Sequence, residues 1–261
     1  MSGSSSDRLL GPDDPPVYVI ERTAGRSPFV LACDHAGRAI PRRLDALHLS
    51  AHELGSHVAW DLGVADLGRA LSVRLDACAI AHAYSRLVID ANRPLDAPDS
   101  IPTRSERTRI PANEGLSATA RRQRADEVFA PYHRRLRDEL DARRAASRPS
   151  LLVALHSFTP VYLAEARRWH AGVLYGRDPA LARLVLEGLR GDPDLVVGEN
   201  EPYAVSDATD YTIVVHGEQR GIPHVELEIR QDLLASDAGI ARWSERLALV
   251  LQAAFPRLPR T

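Results

Sequence analysis

Short apolar runs alternate along this chain with longer segments in which apolar residues recur at helical spacing. The runs predict strands at 29–33, 77–82, 86–90, 151–155, 172–175, 195–197 and 224–229, and the helical spacing predicts helices near 51–74, 117–146, 178–190, 209–220 and 235–255. Strands and helices in this alternation argue for a largely parallel sheet covered by helices. Between 94 and 115 neither period survives. There Pro94, Pro98, Pro102, Pro111 and Gly115 predict a long loop, the kind of segment that serves as a lid over a site. A second irregular stretch, 198–210, carries Glu199, Asn200, Glu201 and Tyr203. No shift in composition marks a linker, so residues 16–261 are expected to form one domain. The Ser-, Gly-, Asp- and Pro-rich start, residues 1–15, is expected to be a mobile arm.

In open α/β sheets ligands bind beyond the carboxyl ends of the strands, which directs attention to polar residues that close apolar runs. Four places qualify: Asp34-His35-Ala36-Gly37, Asp90-Ala91-Asn92-Arg93, His156-Ser157 and Glu226-Leu227-Glu228-Ile229-Arg230. Neutral imidazole suits zinc, and a catalytic zinc takes three protein ligands with one position left open, so His35 and His156 are candidate ligands. A carboxylate would complete the set. Asp61, in the pattern His57-Val58-Ala59-Trp60-Asp61, and Asp34 are the two choices, with Glu53 a third. Asp34 has the drawback that adjacent residues of an extended strand face opposite sides. Glu226 and Glu228 fall on one side of their strand. A carboxylate in that apolar setting is either a general base or the ion-pair partner of an arginine such as Arg230. Asn92 and Arg93 together offer an amide and a guanidinium fork for a substrate carboxylate.

Composition narrows the classes. The 261 residues carry 33 basic and 35 acidic side chains, a net charge of −2 at pH 7, which disfavours nucleic acid as a partner. No run approaches the roughly 20 apolar residues that span a bilayer, and the start lacks the pattern of a secretory leader. A cytoplasmic protein without a membrane partner is expected. Cys33 and Cys78 read as buried thiols rather than a staple. There is no Gly-x-Gly-x-x-Gly, Walker, His-Glu-x-x-His, Cys-x-x-Cys or Gly-x-Ser-x-Gly motif, which sets nucleotide-dependent and serine-hydrolase chemistry aside. The arginines of 117–146 are interspersed with Asp126, Glu127, Asp138 and Glu139 and read as a solvated face.

Taken together, Asp34-His35-Ala36-Gly37 with Pro41, Trp60-Asp61, the run from Ser85 to Pro94, His156-Ser157 and the run from Glu226 to Arg230 resemble the N-formylglutamate amidohydrolase family. That family is similar in fold to the zinc carboxypeptidases, aspartoacylases and succinylglutamate desuccinylases. The resemblance implies a three-layer α/β/α sandwich with a mixed, largely parallel central sheet, phosphorylase/hydrolase-like and zinc carboxypeptidase-like, and one zinc per chain. It implies His35 and His156 as zinc ligands, Asn92 and Arg93 as holders of the substrate's carboxylate, and Glu228 as general base and acid. Carboxypeptidase-like enzymes carry a glutamate three residues after the first histidine. Here that position is Arg38, which cannot bind a metal, so Asp61 is the preferred third ligand, with Asp34 and His57 as alternatives.

The implied activity is hydrolysis of the amide of an N-acyl amino acid, N-formylglutamate-like, by metal-activated water. In it Glu228 moves the proton and Arg86 stabilises the oxyanion. The partner is then a small carboxylated molecule. Two other readings stay open: a zinc peptidase or esterase acting on another carboxylated substrate, and a catalytically silent carboxylate-binding module holding no stoichiometric metal.

Overall fold

The structure, a computed structural model, describes residues 8–259. The strands are β1 (Tyr18–Glu21), β2 (Phe29–Cys33), β3 (Cys78–His82), β4 (Arg104–Ser105), β5 (Thr108–Arg109), β6 (Leu151–Phe158), β7 (Val161–Tyr162), β8 (Glu165–Ala166), β9 (Ala171–Leu174), β10 (Val197–Glu199) and β11 (His224–Arg230). The α-helices are α1 (Ala51–Leu54), α2 (Val64–Leu75), α3 (Ala118–Arg124), α4 (Ala130–Ala145), α5 (Ala180–Arg190) and α6 (Asp237–Ala254).

Seven strands make one sheet in the order β1-β3-β2-β6-β11-β9-β10, while β4-β5 and β7-β8 are small separate hairpins. The pairs β2–β3, β2–β6, β6–β11 and β9–β10 are parallel. Only β1–β3 and β9–β11 are antiparallel, so the sheet is mixed and largely parallel. Its central strands are buried on both faces, as apolar runs without alternation require. Leu31, Val153 and Leu227 pack on one face with Leu67 and Leu71 of α2, Val185 of α5 and Trp243 of α6. Val30, Ala32, Leu152 and Ala154 pack on the other with Tyr132, Leu136 and Leu140 of α4. The architecture is the expected α/β/α sandwich.

The helix pattern at 51–74 is broken in two. Ser50 and Glu53 close a reciprocal cap on α1, and Gly63, at φ +81°, starts α2, leaving 55–63 as a connection. Asp61 therefore sits on a loop ahead of α2, not on a helix. The expected strand at 86–90 is also absent. Ser85 donates its N–H to Ala39 O and its hydroxyl to Ala59 O, and Val88 N–H closes a turn onto Ser85 O. Leu87, Val88 and Ile89 are apolar because they fill a second core with Leu47, Tyr84 and Phe129. The helix at 117–146 runs through a π turn, Ala125–Phe129, just ahead of Pro131, which supplies no N–H to the ladder. Residues 209–220 hold a π turn, Thr212–Gly217, and a short 3-10 turn, Glu218–Arg220, in place of a regular helix. Tyr18–Glu21 adds an edge strand that the sequence reading passed over.

Of the expected N-terminal arm, residues 1–7 lie outside the described residues. Leu9 is buried, the N–H groups of Leu9 and Leu10 donate to the Glu127 carboxylate at 2.8 and 3.0 Å, and Tyr84 Oη donates to Pro15 O. The long stretch 94–115 is pinned through Asn113, whose Nδ2 donates to Leu87 O and Pro102 O and whose Oδ1 accepts from buried Arg124, itself a donor to Val88 O.

Candidate metal centre and its cavity

Three chain segments bring the site together. The turn after β2 carries Asp34 and His35, and here Gly37 is obligatory because a Cβ would lie 2.0 Å from Ala83 O. The loop before α2 carries Asp61, whose N–H donates to His35 O at 2.9 Å. Strand β6 carries His156, paired in parallel register with Glu228 of β11. His35, Asp61 and His156 each offer a ligand atom, all within 4.8 Å of one another. Their common point is Asp61 Oδ2, 3.0 Å from His156 Nδ1 and 3.6 Å from His35 Nδ1, and it also accepts Ser157 N–H at 3.2 Å.

Both imidazoles turn their far nitrogens to a carboxylate. His35 Nε2 donates to Asp90 Oδ1 at 2.6 Å, and His156 Nε2 lies 3.3 Å from Asp34 Oδ2. These carboxylates are fixed in turn: Asp34 Oδ1 accepts from Tyr132 Oη and Thr212 Oγ1, and Asp90 accepts from Arg86 Nη2 and from Asn92 N–H. Backing carboxylates of this kind set the tautomer and basicity of histidines that ligate metals. His35 Nδ1 is buried without a hydrogen-bond partner and faces the cluster. Asp34, Asp61 and Asp90 are all buried with one guanidinium, that of Arg86, against them, an excess of negative charge that a cation would balance. The donor set, two nitrogens and one oxygen with buried partners behind them, fits a divalent metal.

The electrostatics are those of a tightly held cluster. Burial would raise the Asp61 carboxyl, but the charge of His35 and hydrogen bonds from both histidines hold it well below the usual carboxylate range. Burial would likewise raise Asp34, and His156 overrides it. His156 is pulled the other way: burial disfavours its proton, yet Glu226, Asp34 and Asp61 raise its affinity for one well above the ordinary value. Glu226 and Glu228 rise above the carboxylate range, chiefly through burial, and each has an oxygen without a partner.

These groups open into a cavity of about 330 Å³ whose lining includes His35, Asp61, His156, Glu226 and Glu228. Arg86, Asn92 and Arg93 also line it, so the residues singled out in the sequence meet in one place. Each is partly engaged. Arg86 Nη1 lies 3.6 Å from Asp61 Oδ1, Asn92 Oδ1 accepts from Tyr211 and Thr212 N–H, and Arg93 Nε donates to Asp99 at 3.0 Å. His57 is not in the cluster; its Nε2 donates to Glu106 Oε1 at 2.6 Å, which ties the turn between β4 and β5 to the cavity rim. Glu53 stays at the surface in the cap of α1. His216 lies in the core against His133, and Arg230 pairs with Asp232 rather than with either glutamate.

Sequence reasoning passed over Asp90 and Asp34 as partners of the two histidines, although Asp90 stands two residues ahead of Asn92 in the motif already singled out. It also passed over the cavity wall formed by Phe158, Tyr162 and Tyr203, for which no short motif exists.

A sequence model of N-formylglutamate amidohydrolase matches residues 27–235. The chain belongs to the N-formylglutamate amidohydrolase family. Every residue of the cluster and of the cavity named above falls inside the matched span. The chain is also similar to an N-formylglutamate deformylase of Pseudomonas putida, 28% identical over 263 residues that cover 90% of this chain and 91% of the relative. A solved structure of a gene product from Agrobacterium tumefaciens matches with a TM-score of 0.93 at 34% identity, over 96% of this chain and 99% of the other. The N-formylglutamate amidohydrolase of Ralstonia eutropha JMP134 shares the fold, with a TM-score of 0.72 at 18% identity over 93% and 98% of the two chains. As a member of the N-formylglutamate amidohydrolase family, the protein is a hydrolase of linear amide C–N bonds. Among the described residues no helix is long and apolar enough to cross a membrane.

Proposed function

We propose that this chain hydrolyses the amide of a small N-acyl amino acid of the N-formylglutamate kind, using one zinc ion held by His35, Asp61 and His156. The observation that carries the reading is the convergence of those three side chains in a cavity that also contains Glu228. A zinc ion bound there supplies a Lewis acid that acidifies water and polarises an acyl carbonyl.

The chain's own residues do the rest. Glu228, a buried carboxyl whose proton affinity is raised, takes a proton from the attacking water and passes it to the departing amine nitrogen. Arg86, anchored by Asp90, presents its remaining N–H groups to the charge that grows on the carbonyl oxygen. Asn92 and Arg93 grip a carboxylate of the substrate and so fix the scissile bond against the cluster. One water is consumed, and a free amino acid and a short carboxylic acid leave.

A cavity of about 330 Å³ is at the small end of ligand pockets and suits a metabolite rather than a macromolecular partner. The near-neutral charge and the free, buried Cys33 and Cys78 fit a cytoplasmic enzyme with neither nucleic acid nor membrane as partner. The test is metal analysis of the purified protein, followed by turnover of N-formylglutamate, other N-acyl amino acids and short peptides with and without a chelator. One zinc per chain and chelator-sensitive release of the amino acid are expected. Absence of stoichiometric metal, or turnover of peptides alone, would overturn the reading.

A further inference from the structure

Glu226 lines the cavity but takes no part in the proton transfer assigned to Glu228. It stands two residues before Glu228 on β11, so both side chains leave the same face of the strand, about 7 Å apart along it. Its neighbours in the register are Ala154 of β6 and Leu174 of β9, and neither offers a polar side chain. Glu226 is only 3% exposed, and its Oε2 is buried without a hydrogen-bond partner. The guanidinium groups that line the cavity pair with other carboxylates, Arg86 with Asp90 and Arg93 with Asp99. Asp210, also in the lining, differs from Glu226 in accepting from Ser206 N–H and Thr209 Oγ1.

A buried carboxyl that the fold leaves unpaired is costly, and a donor supplied by a ligand offsets that cost. Amide hydrolysis brings such a donor. The scissile nitrogen carries one N–H in the substrate. It gains one proton through Glu228 and a second that the new carboxylic acid gives up, and so leaves as an ammonium group. Glu228 stands opposite His156, and Glu226 is the next carboxyl on that face, one step further from the carboxyl end of the strand. Burial raises the Glu226 carboxyl, and an ammonium group in contact with it would favour the charged form.

We propose that Glu226 is a substrate-positioning residue whose carboxyl accepts the N–H of the scissile amide and then holds the ammonium group of the released amino acid. This rests on the proposed function and adds the residue that receives the nitrogen side of the cleaved bond.

The test is calorimetric titration of the zinc-loaded wild type, Glu226→Gln and Glu226→Asp with L-glutamate and with glutarate, which lacks only the amino group. The wild type is expected to bind L-glutamate more tightly than glutarate. Glu226→Gln should lower that preference roughly 10- to 100-fold, the worth of a hydrogen bond between charged groups. Glu226→Asp should recover part of it, because the charge returns on a shorter side chain. Both affinities are read in the same variant, so a general loss of folding does not mimic a change in their ratio. Equal affinity of the wild type for the two ligands, or a ratio unmoved in Glu226→Gln, overturns the role of Glu226 and leaves amide hydrolysis in place. Failure of the wild type to turn over any N-acyl amino acid would instead overturn the function on which the proposal rests, and the proposal with it.

Discussion

Glu228 stands opposite His156 in the parallel register of β6 and β11. Two central strands thereby fix the relation between a proposed base and a proposed metal ligand, and backbone hydrogen bonding rather than a loop sets their separation. Glu228→Gln keeps the shape and removes the proton acceptor. Such a variant is expected to bind one zinc and lose turnover by at least about 100-fold, the usual worth of a general base. Kinetics beside metal analysis decide it; near-normal turnover would remove Glu228 from the mechanism.

Asp90 touches no other candidate ligand, yet it receives His35 Nε2 at 2.6 Å. Asp90→Asn should weaken zinc binding about 10- to 100-fold, as loss of a carboxylate behind a ligating histidine does elsewhere. His35→Ala and His156→Ala, which remove ligand atoms, should abolish stoichiometric binding. Competition against a chromogenic chelator reads all three, and unchanged affinity in Asp90→Asn would show that the contact is structural only.

Removing the metal should cost stability as well as activity, because Asp34, Asp61 and Asp90 then share a buried space in which Arg86 is the one guanidinium paired with them. Zinc at 100 times its Kd is expected to add about 2.7 kcal/mol to the native state. Thermal unfolding with chelator and with graded zinc should show a Tm that climbs with free metal. A Tm indifferent to zinc would argue against the site.

Of the other buried histidines, His82, His133 and His216 make a prediction about acid. Burial lowers His133 to about 3 and His82 and His216 to about 4, from an ordinary 6.5. His133 Nδ1 meets His216 Nε2 at 3.1 Å, and its Nε2 is taken by Ala91 O, so protonation of His133 would set N–H against N–H. Between pH 6.5 and 4 the unfolded chain therefore binds protons that the native state refuses. The stability linked to these groups is complete above pH 6.5 and is lost as pH falls, by up to about 1.4 kcal/mol per pH unit for each histidine. Urea unfolding of wild type and His216→Leu across that window should give a shallower pH slope for the variant. Equal slopes would count against it, as would imidazole NMR signals that titrate near 6.5.

The sheet was the most legible part of the sequence. Runs such as Phe29–Cys33 and Leu151–Phe158 are apolar throughout because both of their faces are covered, and that pattern survives reading in one dimension. The same logic misled at 86–90, where Leu87, Val88 and Ile89 are buried around a turn rather than in a ladder. Apolar runs report burial before they report geometry. His35, Asp61 and His156 could be picked out by residue type and motif, but their partners could not. Asp34 supports His156 from 122 positions away along the chain, and no periodicity encodes that contact.

The cavity floor belongs to β6 and β11, whereas much of its rim comes from the β4–β5 turn, the β7–β8 hairpin and the stretch 198–210. Under the proposed function, chemistry and selectivity fall to separable parts of the chain. Descendants of a common ancestor could exchange or lengthen those rim segments, trading one acylated amine for another, while the reaction centre passes unaltered through the lineage.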